Sequence, residues 1–82
     1  MDAIRISSQY GTLSRGRHSA RKGGKGGVVW ASKDASGNLV IDEEGVWQLH
    51  SSDGFSREAR AVLIVSADGW EMKGETKRFT VL

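Results

Sequence analysis

"FSREARAVLIVSADGW", Phe55 to Trp70, is the stretch on which the fold class turns. Read as a helix over about 57–67, it has an N-cap in Ser56, an acid in the first turn at Glu58 and a stop at Gly69. Read as a strand from Glu58 to Ser66, it has a continuous apolar run, Val62 to Val65, in which three of four residues are β-branched. That composition suits a strand buried on both faces and makes Val62–Val65 the expected centre of the core. The strand reading is preferred. Asp68-Gly69 then closes a hairpin, and Trp70 and Met72 lie on the returning strand.

The flanking sequence agrees with a β fold. Ile4 and Ile6 alternate with Arg5 and Ser7, which reads as a half-buried strand over Asp2–Ser8. Gly27–Ser32 and Asn38–Asp42 read as two further strands, joined by the turn-forming Asp34, Ser36, Gly37 and Asn38. Asp42–Gly45 reads as a second turn and Ser51–Gly54 as a third. Between these two turns, Val46–Ser51 alternates Trp47 and Leu49 against Val46, Gln48 and His50. Lys77–Leu82 ends the series, with Phe79 and Val81 on one face. Short runs separated by glycine-bearing turns, with no proline, predict an all-β fold, a small barrel or sandwich of about five to six short antiparallel strands. A helix at 57–67 would make it α+β.

The chain has 82 residues, enough for a single small domain over 1–82. A domain this small buries only about 60–65% of its unfolded surface, so every large apolar residue counts. It has no cysteine, which excludes disulfides, thiolate metal sites and a cysteine nucleophile. The lack of cysteine, with no apolar run long enough to span a membrane and no signal-peptide pattern at the N-terminus, leads us to expect a cytoplasmic protein without membrane partners.

Charge is distributed unevenly. Gly11 to Lys33 holds six basic residues and no acid, whereas the rest of the chain holds six basic and ten acidic residues. The density peaks in "SRGRHSARKGGKGG", Ser14 to Gly27. It reads as a flexible Arg/Lys/Gly-rich loop over about 11–27. Glycines let the backbone approach a phosphate, and Arg and Lys supply charge-assisted donors. Arg15, Arg17, His18, Arg21, Lys22 and Lys25 are therefore the candidate nucleic-acid-binding residues, and the expected partner is nucleic acid or an acidic protein surface. A merely solvated loop is the competing reading. The stretch is not a P-loop, since Gly26 follows Lys25 where a Ser or Thr is needed, and the first glycine is replaced by Ser19.

Other polar groups offer less. His50 precedes Ser51, Ser52 and Asp53, but that run lacks the turn signature of a triad nucleophile and reads as a polar strand end. Asp42, Glu43 and Glu44 form a solvated acidic edge; they are candidate partner-binding residues, or a counter-charge for the basic loop. Trp30 and Trp47 are assigned to the core, and Trp70, just past a tight turn, to a partly exposed site suited to a partner. Catalysis is not expected, and no cofactor or metal is assigned. A phosphodiesterase using His18 or His50 is the enzyme that the composition would allow. The leading expectation is a small nucleic-acid-binding β domain. Its alternative is an inhibitor or adaptor, of the kind encoded by phages and mobile elements, that docks on a host enzyme through Trp70 and Asp42–Glu44.

Overall fold

The computed structural model describes residues 2–8, 19–23, 29–50, 59–75 and 79–82. These residues contain eight strands and no helix: β1 (Ile4–Ser8), β2 (Ser19–Lys22), β3 (Ser32–Lys33), β4 (Leu39–Ile41), β5 (Gly45–His50), β6 (Ala61–Ser66), β7 (Gly69–Gly74) and β8 (Phe79–Val81). They form two antiparallel four-stranded sheets, ordered β3-β4-β1-β8 and β2-β5-β6-β7. The all-β expectation holds, with more strands than the five or six read from the sequence.

Within the deciding stretch, Ala61–Ser66 is a strand, and the expected strand start at Glu58 lies outside the described residues. β6 pairs on one side with β5, Leu63 opposite Trp47, and on the other with β7, Leu63 opposite Met72. Its burial alternates, however. Ala61, Leu63 and Val65 are buried, while Val62 and Ile64 are only half-buried. The apolar run is therefore not buried on both faces. Period 2 sends Val62 and Ile64 to the outer face of the sheet, and only the inner face packs on the other sheet.

The core lies between the inner faces of the sheets. Ile4 and Ile6 of β1, Leu39 and Ile41 of β4 and Phe79 of β8 meet Ala20, Trp47, Leu49, Ala61, Leu63 and Val65 of the second sheet. Trp47 is buried as expected, and its indole N–H donates to the Glu43 carbonyl at 3.0 Å, which satisfies the one polar atom of the ring. The acidic turn 42–44 carries the chain from β4 in one sheet to β5 in the other.

One turn and one strand end explain local sequence. In the β3–β4 hairpin, Asp34 Oδ1 accepts from the N–H groups of Ser36 and Asn38, both at 2.9 Å, and Gly37 takes a φ of 83°. At the end of β7, Gly74 has a φ of 101° and lies against β6, so that a Cβ there would be 2.7 Å from the Arg60 carbonyl oxygen. Glycine alone fits both the conformation and the space.

The largest departure from the sequence reading is β2. The sequence reads residues 19–22 as loop, yet they form a strand paired to β5, Ala20 opposite Leu49 and Lys22 opposite Trp47. Ala20 is fully buried. One small apolar residue in four gives no visible period, and the strand exists because β5 presents a free edge and a large partner across the register.

Candidate nucleic-acid interface

β2 divides the basic stretch. Arg15, Arg17, His18 and Lys25 lie outside the described residues. Arg21 and Lys22 lie on β2 itself. In the sequence, Arg15, Arg17 and His18 precede this strand and Lys25 follows it. The candidates thus do not belong to one continuous loop.

Arg21 and Lys22 point in opposite directions. Ala20 is buried, so alternation turns Arg21 to the outer face. Lys22 turns the other way, where its Nζ stands 3.6 Å from a Glu43 carboxylate oxygen. One sequence candidate is thereby drawn into an intramolecular ion pair with the acidic turn, a contact between two partly exposed side chains that contributes little to stability.

The exposed side of β2 gains a neighbour that sequence reasoning missed. The Lys22 N–H donates to the Val29 carbonyl, and the Ala31 N–H to the Ala20 carbonyl, both at 2.9 Å. This sets Trp30 directly opposite Arg21 in an antiparallel bridge. Residues paired across a ladder share a face, so Trp30 stands with Arg21 on the outside. Its side chain is 57% exposed, which corrects the assignment of Trp30 to the core. The cause is the register: Ala20 takes the inward position, and the residue opposite Arg21 has no inward option. The signal was present as a tryptophan beside a basic strand, but it required knowing that 19–22 is a strand.

The row continues across the sheet. Arg21 pairs with Gln48, Gln48 with Val62, and Val62 with Lys73. Trp30, Arg21, Gln48, Val62 and Lys73 therefore form one line perpendicular to the strands, about 19 Å long at ~4.8 Å per step. Beside it runs a second line, Val46, Ile64 and Glu71. Lys73 Nζ lies 4.0 Å from Glu71, both well exposed. The surface is an aromatic ring and two cations, the cations about 14 Å apart, on a partly apolar floor.

The remaining candidates lie elsewhere. His50 is half-buried at the end of β5 opposite Ser19, and neighbouring 51–53 are outside the described residues, as is the expected turn they belong to. Asp42, Glu43 and Glu44 are all exposed. Among the described residues, no three His, Asp or Glu side chains come together in a way that could hold a metal ion. Nor is any helix there long and apolar enough to cross a membrane. Trp70 is 49% exposed at the start of β7, as its position after the turn predicts. Comparison of the chain with protein-family models, with curated proteins and with solved structures gives no match.

Proposed function

We propose that this protein binds nucleic acid on the outer face of the β2-β5-β6-β7 sheet, with single strands preferred over duplex. The observation that carries the reading is the exposed Trp30 placed side by side with Arg21. An exposed indole offers a stacking surface to any base, and an adjacent guanidinium offers bidentate donors to a phosphate. Gln48 adds amide donors and acceptors, and Lys73 a second cation further along the row. The basic residues on either side of β2 in the sequence add long-range attraction. Binding of this kind is tolerant of sequence, since stacking and phosphate contacts carry little base information. The absence of cysteine fits a reducing, cytoplasmic setting.

The test is a titration of a labelled mixed-sequence single-stranded oligonucleotide across a salt series. Affinity should fall with salt with a log–log slope of about −0.7 per phosphate contact. Trp30→Ala should weaken binding by about 1–3 kcal/mol, the range for loss of one base stack. Arg21→Ser should weaken it and flatten the salt slope by about 0.7. No binding by the wild-type chain at ~50 mM salt, or equal binding by Trp30→Ala, overturns the reading.

A further inference from the structure

At one end of the molecule the chain presents carboxylates instead of cations. Ile4 pairs with Ile41, and Gly45 with Val65, which in turn faces Trp70. Asp2, the connector Asp42–Glu44 and Asp68 of the β6–β7 turn therefore all project beyond the last paired rows at the same end. All five are exposed. Two described cations stand near this end, and each faces a carboxylate: Arg5, one row in on β1, is 3.9 Å from Asp34, and Lys22 is 3.6 Å from Glu43.

A groove opens at this end, between the start of β1, the end of β8 and the β6–β7 turn. Asp2, Ala3, Ile4, Trp70, Val81 and Leu82 line it. Its volume is about 270 Å³. That is below the range of small-molecule sites and of a size to take one large side chain. Its lining is largely apolar, with Trp70 49% and Leu82 65% exposed. An exposed tryptophan beside an apolar cleft is the usual composition of an interface anchor point.

We infer that this groove docks a basic segment of another protein, which inserts one large apolar side chain against Trp70 and Leu82. Charge complementarity selects the occupant. Lysines or arginines flanking the inserted residue face Asp2 and Asp68 at the rim, with Asp42–Glu44 extending the same potential along this end of the two sheets. The same field repels a phosphate backbone, so this surface is separate from the Trp30 face and does not rest on the nucleic-acid reading.

The experiment is an NMR titration of the full chain with a short peptide in which lysines and arginines surround a single leucine. Amide shifts are expected at Gly69, Trp70 and Leu82, and not at Arg21 or Trp30. Trp70→Ala should lower affinity about tenfold or more, as interface tryptophans do. The exposed pair Asp2→Asn and Asp68→Asn should lower it several-fold and weaken its salt dependence, with an unchanged melting temperature as the control for folding. Replacing the peptide's leucine by serine should remove the shifts at Trp70. The inference is overturned by shifts confined to other surfaces, by equal binding of the serine peptide, or by sedimentation showing that the groove is instead closed by a second copy of the chain.

Discussion

On the inner face of the β2-β5-β6-β7 sheet stand Ala20, Trp47, Leu49, Ala61, Leu63 and Val65, all buried. On the outer face of the same strands stand Arg21, Gln48, Val62, Ile64 and Lys73, none of them buried. The strands and the backbone hydrogen bonds are common to both faces, which differ only in which alternate residues of each strand they receive. Stability is concentrated on the inner face, because hydrophobic stabilisation follows the area removed from water. The outer face is free to carry chemistry, and it holds the juxtaposition of Trp30 with Arg21.

The sharpest way to break that comparison is to truncate a tryptophan on each side. Trp47→Ala should destabilise the domain by about 3–5 kcal/mol, enough to unfold much of so small a protein. Trp30→Ala should shift the denaturation midpoint by about 0.5 kcal/mol or less, as exposed substitutions do. Similar losses for the two variants in urea melts would mean that the outer face is covered and that Trp30 is structural. A second contrast uses two glycines of β7 with positive φ. Gly74→Ala would drive a Cβ into the Arg60 carbonyl and the Ala61 Cα, at 2.7 and 2.9 Å. It should cost about 1–3 kcal/mol. Gly69, with a φ of 147°, has open space where a Cβ would go, and Gly69→Ala should cost less. Reversal of that order would show that β7 does not lie against β6 as described.

The smallest effect concerns pH. The backbone N–H of Asn38, with its side-chain amide, the N–H of Ser36 and the Arg5 charge, holds the Asp34 carboxyl below its ordinary value, against some desolvation. A carboxylate whose pKa is lowered on folding contributes stability above its unfolded pKa and loses it as pH falls through the folded one. Wild-type stability should therefore decline slightly through and below the usual carboxylate range, and Asp34→Asn should flatten that decline while keeping the turn. An identical acid limb in the two proteins, measured by thermal melts, would remove Asp34 from the account.

Elements that carry their own period were legible in the sequence. Ile4 and Ile6, Trp47 and Leu49, and the Asp68-Gly69 turn each specify local structure without reference to a partner. β2 was not legible, because its single apolar residue is small and its place is set by β5. The position of Trp30 was lost with it, since side-chain type argues for burial and only the pairing with Arg21 argues against it. The basic stretch was legible as a charge anomaly. Its division by a strand, and the capture of Lys22 by Glu43, depend on contacts between residues about twenty to thirty positions apart, which no local pattern reports.

Residues 29–33 have a role that reaches beyond Trp30. Trp30 bridges to β2 in one sheet, while Ser32 and Lys33 pair with β4 in the other. A strip of five residues is thus shared by both ladders, and neither sheet can separate from the other along this side without tearing it. Local opening that would expose the core on this side must first detach the strip from one of the two sheets, at the Trp30 bridge or at the β3–β4 ladder. That ties opening of the core here to the backbone hydrogen bonds of these few residues.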